Sequence, residues 1–181
     1  MTGVQTCALP IFAFALALAA MDARAQATTT EAIVKAAFLY KFAGYVEWPS
    51  SAFPAPDTPI VIGVSGADEV VGELERLVPG RNVNGHQVLV RRVREESIRG
   101  VHVLFVGRGA ADAPALARAG QQQGALVVTE VDRGLELGSA INFVPVEDRI
   151  GFDVSLGNAE KAGLRISARM LPVARKVIVR P

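Results

Sequence analysis

Cysteine is all but missing from this chain: there is one, Cys7, and it lies within the first eleven residues. Beyond that point a disulfide framework and a thiolate metal centre are both excluded. Histidine is nearly as scarce. His86 and His102 stand alone in different segments, so no His/Cys zinc spacing exists and no metal or cofactor is expected. Neither sign of charge dominates, with 19 Lys and Arg against 18 Asp and Glu. That balance lacks the basic field that nucleic acid requires and the acidic surplus of a disordered tail. Long apolar runs are absent too. The longest, Phe12 to Ala20, falls well short of the ~20 residues that span a bilayer.

The N-terminus divides into two unlike pieces. Thr2 to Ile11 reads TGVQTCALPI, the translation of a common sequencing-library adapter (ACT GGA GTT CAG ACG TGT GCT CTT CCG ATC) preceded by an initiating GTG. Residues 1–11 are therefore expected to be adapter joined to a gene fragment, and Cys7 with them. A nucleotide record with other codons there would end the idea. Residues 12–27 have the character of an export signal without its basic start: an apolar stretch, then Ala23-Arg24-Ala25 and Ala25-Gln26-Ala27, both A-x-A cleavage patterns. The expectation is a cleaved signal, a periplasmic location, and one domain over residues 28–181, long enough for a core of its own.

The densest aromatic stretch is Glu31 to Pro49, EAIVKAAFLYKFAGYVEWP, which contains Trp48, the one tryptophan. At about 100° per residue, Val34, Phe38, Phe42 and Tyr45 form one helical stripe with Leu39 and Val46 on its shoulder. Thr28-x-x-Glu31 has the form of a capping box, and Pro49 forces Trp48 out of the α region and ends the helix. The stripe reads as a docking face over a core. Its Tyr45 to Trp48 end is open to a second reading, contact with a ligand or partner.

After a proline-rich connection (Pro54, Pro56, Pro59), Ile60 to Val64 is a continuous β-branched run, as in a strand buried on both faces. A helix is predicted over 67–78, strands over 87–93 and 101–106, a helix over 113–122 and a strand over 124–131. The β-α-β-β-α-β order indicates a layered α/β fold of the flavodoxin or Rossmann type, mostly parallel, with helices on both faces. Ala140 to Val144 and Asp148 to Leu156 then read as a C-terminal antiparallel hairpin with Ile150, Phe152, Val154 and Leu156 facing in and Gly151, Asp153 and Ser155 facing out. Asn158 can cap a short helix that Gly163 ends. Ser167 can cap a last helix toward Val177, although Pro172 interrupts it.

Catalytic patterns are missing. Gly63-Val64-Ser65-Gly66 is neither a dinucleotide fingerprint, a P-loop nor a nucleophile elbow. Glu95-Glu96 and Glu130-x-Asp132 read as solvated loop charges, and no catalytic residue is expected. What remains is polar side chains gathered late in the chain, Arg149, Asp153, Arg165, Arg169 and Arg175. They read either as a solvated face or as a recognition surface offering arginine forks to a partner's carboxylates.

Two segments carry a family resemblance. A-x-x-K-A-A-F-L-Y-K-F-A-x-Y-V-E-W-P (Ala32 to Pro49) and D-R-I-G-F-D-V-S-L-x-N-A-E-K-A-G-L-R-I-S-A-R-M-L-P-V-A-R (Asp148 to Arg175) resemble the opening and closing signatures of the YfiR family of small exported bacterial proteins. The resemblance implies a non-enzymatic periplasmic repressor. Its partner would be the periplasmic domain of an inner-membrane diguanylate cyclase, in cyclic di-GMP signalling, or a sensor kinase. It also implies sequestration by an outer-membrane lipoprotein and a homodimer. Tyr45, Trp48, Arg149, Asp153, Arg165, Arg169 and Arg175 are the candidate contact residues. The chain departs from the family in lacking paired cysteines, in having Asp153 where members usually have Glu, and in Pro172. The alternative is a periplasmic small-ligand binder using the crevice around Ser65 to Asp68 and Gly107 to Gly109. A hydrolase built on Ser65 and a histidine is a third reading.

Overall fold

A computed structural model describes residues 29–94, 97–147 and 149–179. The adapter-like piece, the export signal, Thr28 of the capping box and the Glu95-Glu96 pair lie outside the described residues. Helix α1 covers 29–44. It is followed by β1 (Val46–Glu47), β2 (Ile60–Ser65), α2 (Asp68–Leu77), β3 (Asn82–Val83), β4 (His86–Arg92), β5 (Val103–Val106), α3 (Ala113–Gln122), β6 (Leu126–Thr129), β7 (Ile141–Val146), β8 (Arg149–Ser155), α4 (Leu156–Lys161), β9 (Arg165–Ile166) and β10 (Lys176–Ile178). Among the described residues no helix is long and apolar enough to cross a membrane.

The main sheet runs β10-β8-β7-β6-β5-β2-β4-β3. The pairs from β4 through β7 are parallel, β7 with β8 is antiparallel, and β10 returns parallel to β8. Side-chain alternation sends each central strand into two cores. Ile60, Ile62, Val103, Phe105, Leu126 and Val128 meet α1 and α2 on one face. Leu104, Val106 and Val127 meet Leu116 and Ala117 of α3 on the other. This is the expected α/β architecture, helices on both faces of a mostly parallel sheet. The expected hairpin is also present, with Val146 opposite Arg149 and Glu147 turning the chain at φ 51.

Several local expectations are corrected. The deepest line of α1 is Ala32, Ala36, Leu39 and Ala43, each at most 2% exposed. Of the expected Val34-Phe38-Phe42-Tyr45 stripe, Phe42 is buried with them at 1%, Val34 and Phe38 are half-buried and Tyr45 is exposed. Small residues let the helix axis approach the sheet. Phe38 and Phe42 leave its flank to meet Phe143 and Phe152 at centroid distances of 5.0–6.1 Å, edge-on against Phe152. The helix stops at residue 44, before Pro49, because Val46 and Glu47 are drawn into pairing with β9. Asp153 and Ser155 are 7% and 2% exposed. Asp153 is covered because β10 continues the sheet beyond β8 and Arg175 lies over it, and Ser155 because its hydroxyl turns in to cap α4. Ser155, not Asn158, caps α4 by accepting from the Asn158 amide. Asn158 sits inside the turn and donates its side-chain amide to the Leu135 and Ser139 carbonyls. Among the described residues no α-helix follows Ser167. Pro172 is the second residue of a short 3-10 turn, Leu171–Val173, and the chain resumes as β10, in keeping with proline's lack of a donor inside a helix.

Candidate partner-binding surface

The two characteristic segments, 120 positions apart in register, are joined backbone to backbone. β1 and β9 form a separate two-stranded antiparallel ribbon pairing Val46 with Ile166 and Glu47 with Arg165. The Ser167 amide extends it by donating to the Tyr45 carbonyl at 2.8 Å. Val46 is buried beneath the ribbon, whereas Glu47, Arg165 and Arg169 are exposed and Tyr45 is 37% exposed. The ribbon therefore brings Tyr45, Glu47 and Arg165 onto one outward surface, with Arg169 four residues beyond Arg165.

Trp48 is placed differently. It is half-buried, its indole N–H reaches the Ala43 carbonyl at 3.5 Å, and its ring meets His102 edge-on at 5.7 Å. Phe53 lies between His102 and His86, stacked on both at 4.9 and 4.1 Å. Trp48 is thus the inner end of an aromatic column at the N-terminal edge of the parallel strands.

Asp153 and Arg175 are spent on each other. Arg175 donates Nε to Asp153 Oδ1 at 2.7 Å and Nη2 to Oδ2 in a two-pronged bond that ties β10 to β8. The hydrogen-bonded carboxylate holds the Arg175 guanidinium above its ordinary pKa. Half of the Arg175 side chain still faces solvent, against 11% of Asp153. Arg149 is exposed at the other end of β8, about 20 Å from Ser155 along the strand, and does not join the ribbon surface.

Glu130 overturns its reading as a solvated charge. It is 7% exposed and Lys35 is 5% exposed. Lys35 donates to Glu130 Oε2 and also pairs with Glu31 at 2.6 Å. The Arg108 backbone amide donates to Glu130 Oε1 at 3.1 Å. This link clamps the N-terminal half of α1 to the C-terminal edge of the sheet. Lys35 stands on the buried line of α1, one position before Ala36, and that periodicity was the available signal for it.

The crevice at the C-terminal ends of β2 and β5 is the topological switch point, where open α/β sheets take ligands. Here its two loops touch: Gly107 N donates to Ser65 O at 2.8 Å and Gly109 N to Gly66 O at 3.0 Å. A Cβ at Gly66 would overlap the backbone of Gly109 and Ala110. The two loops meet at their base, and an open groove of about 750 Å³ lies over the crevice, lined by Ser65, Gly66, Asp68 and Gly109 together with Arg92, Arg94 and Asp112. Arg92 is engaged by Asp68 and Glu75 at 3.1 and 3.4 Å. The hydrolase geometry is also missing. Ser65 ends β2 level with Val106, whereas His102 precedes Val103, about 13 Å away along the sheet, and His86 begins β4 beyond Ile60. Among the described residues no cluster of three His, Cys, Asp or Glu side chains could hold a metal.

Compared with known families, residues 32–175 match the model described as YfiR/HmsC-like. No curated protein matches the chain.

Proposed function

The chain belongs to the YfiR/HmsC-like family, and on that premise we propose that it is a non-enzymatic periplasmic regulator. It binds the periplasmic part of an inner-membrane signalling protein and holds that protein inactive. The target is a diguanylate cyclase, which makes cyclic di-GMP, or a sensor kinase in the same position. Release by an outer-membrane lipoprotein and action as a homodimer belong to the same proposal. Repression of this kind needs no chemistry from the protein, only tighter binding to the inactive state of the target than to the active one.

One observation carries the reading. The β1–β9 ribbon joins the two segments typical of the family into a single outward surface bearing Tyr45, Glu47 and Arg165. An arginine fork and a partly exposed aromatic ring are the side chains enriched at the centres of protein interfaces. Arg175, just before β10, is half-exposed but already gives Nε and Nη2 to Asp153, so it offers a partner only its remaining face.

The test is capture from solubilised membranes with the tagged chain from residue 28 onward, scored by mass spectrometry. Recovery of an inner-membrane protein with a periplasmic domain and a cytoplasmic cyclase or kinase output supports the proposal. It also requires that Arg165→Glu and Arg169→Glu reduce capture at least tenfold, with urea midpoints unchanged. A folded bait that recovers no such protein, or charge reversals without effect, count against it. Asp153→Ala is expected to weaken capture only through the freed Arg175.

A further inference from the structure

β3 and β4 are joined by two residues, Asn84 and Gly85, and both have positive φ, 51 and 88. That is the mirror-image hairpin turn for which Asn-Gly is the favoured pair. The pairing it closes is short: Val83 faces His86, Asn82 faces Gln87, and the ladder goes no farther. Both turn residues are exposed, and no atom lies within 4 Å of the place a Cβ would take on Gly85. Among the described residues neither the Asn84 side chain nor the Gly85 amide has a hydrogen-bond partner. The chain has three other asparagines, and each is placed differently. Asn142 and Asn158 are 7% and 4% exposed, with side chains bonded to Thr129 and to the Leu135 and Ser139 carbonyls. Asn82 lies inside β3 and is followed by β-branched Val83.

We propose that Asn84 is a self-modification site: the Gly85 nitrogen displaces its side-chain amide, and the isoaspartate that results unpairs β3 from β4. Asparagine is among the chemically labile side chains. The Gly85 main-chain nitrogen, having given its proton to water, attacks Asn84 Cγ. The side-chain nitrogen leaves as ammonia, taking a proton back from water, and a five-membered imide remains. Water then opens the imide. Cleavage between the Gly85 nitrogen and Cγ gives aspartate, and cleavage between that nitrogen and the Asn84 main-chain carbonyl carbon gives isoaspartate. One water is consumed, one ammonia is released, and nothing is oxidised or reduced. Gly85 presents no side chain to the approaching carbon, whereas Val83 crowds the equivalent attack at Asn82. Attack geometry requires rotation about the Asn84 Cα–C bond out of the turn. That is a local opening at an exposed tip of the sheet edge, where openings cost least.

Isoaspartate carries the main chain through Cβ and Cγ, which puts an extra atom into a two-residue loop and leaves the former main-chain carboxyl as a free negative charge. The twist of this turn matches its strands only with two ordinary residues at positive φ, so the Val83–His86 register is lost. β3 is the outermost strand of the sheet and covers β4 only at His86 and Gln87. Its release turns β4 into a bare edge strand. The change also reaches the proline-rich connection. His86, next to Gly85, donates Nδ1 to the Thr58 carbonyl at 2.7 Å and stacks on Phe53 at 4.1 Å.

The experiment is incubation of the purified chain at 37 °C, at pH 7.0 and pH 8.5, followed by peptide mapping with electron-transfer fragmentation and by amide exchange. Fragmentation separates Asn82 from Asn84 and aspartate from isoaspartate. The expected result is a gain of one mass unit at Asn84 at least tenfold faster than at any other asparagine. It should be faster at pH 8.5, because the Gly85 nitrogen attacks without its proton. Both products should form, and in the isoaspartate fraction the Val83 and His86 amides should exchange faster than before incubation. Asn84→Gly keeps a Gly-Gly turn of the same type and should show neither change. An Asn84 that reacts no faster than Asn82 would overturn the proposal, as would isoaspartate-containing protein whose Val83 and His86 amides exchange as before. Should Asn84→Gly not fold, the mapping and exchange of the unaltered chain decide alone. No partner enters these measurements, so their outcome is independent of the regulatory reading.

Discussion

Lys35 and Glu130 meet where neither side chain is more than 6% exposed, and at such a place the two ends of an ion pair are worth very different amounts together and apart. Taken out of water as a pair, two charges roughly offset their own desolvation. Removing one leaves the other buried and uncompensated. Lys35→Met alone is therefore expected to cost about 3–5 kcal/mol, measured as a fall in the urea midpoint at constant slope. Lys35→Met combined with Glu130→Met should recover most of that loss, because the site becomes apolar on both sides. A double variant no more stable than the single would show that the pair contributes more than mutual neutralisation. Asp153 and Arg175 are the contrasting case. They lie at the sheet edge, and the arginine keeps half its surface in water. Asp153→Asn is expected to speed amide exchange in β10 with little change elsewhere, since the bond fastens the last strand and not the core.

Glycines at two places in the secondary structure should respond in opposite directions to one methyl group. Gly72 is inside α2 with nothing within 4 Å of the position a Cβ would take. Gly72→Ala removes backbone freedom from the unfolded chain without touching the folded one, and should stabilise by about 0.5–1 kcal/mol. Gly134 begins the 3-10 turn before β7, and a Cβ there would overlap Thr129 Oγ1 and Asn142 Oδ1. Those two atoms hydrogen-bond each other at 2.7 Å in a buried network that also includes Ser139. Gly134→Ala must push them apart and is expected to cost about 1–3 kcal/mol. Chemical denaturation of both variants tests the pair, and the same sign for both would contradict the packing argument. On α1, Leu39 has no exposed surface, so Leu39→Ala should cost about 2–5 kcal/mol.

Stability of the molecule as a whole should carry the mark of His102. Its lowered pKa means that the unfolded chain binds a proton more readily than the native one. Melting temperature is therefore expected to be flat in its His102 contribution above about 6.5 and to decline as pH falls below that. Comparison with His102→Asn isolates this part from the general acid sensitivity of carboxylates, and parallel pH profiles for the two proteins would remove it. Two separate cores hold the layers together, the loops after β2 and β5 touch at Gly66 and Gly109 beneath an open groove, and the ribbon of β1 and β9 lies apart from the main sheet with Glu47 and Arg165 exposed.

Much of the architecture was legible along the chain. A continuous β-branched run marked β2, a strongly apolar run marked β5, apolar spacing marked α2, the helix predicted over 113–122 forms at those bounds, and alternation after Glu147 marked the hairpin. These signals are local, because one strand or helix turn records which of its own faces is dry. The ribbon could not be read that way. Two residues at 46–47 and two at 165–166 have no periodicity to display, and each is a strand only because the other is present. The same holds for β10, for the burial of Glu130, and for the mutual engagement of Asp153 and Arg175, all set by neighbours remote in sequence. The sequence by itself determined the family, the layered α/β class and the near absence of cysteine and histidine. Only the tertiary structure decided which charges are buried, which of the candidate residues share a surface, and that Trp48 faces His102, because each depends on the partner that long-range packing brings against it.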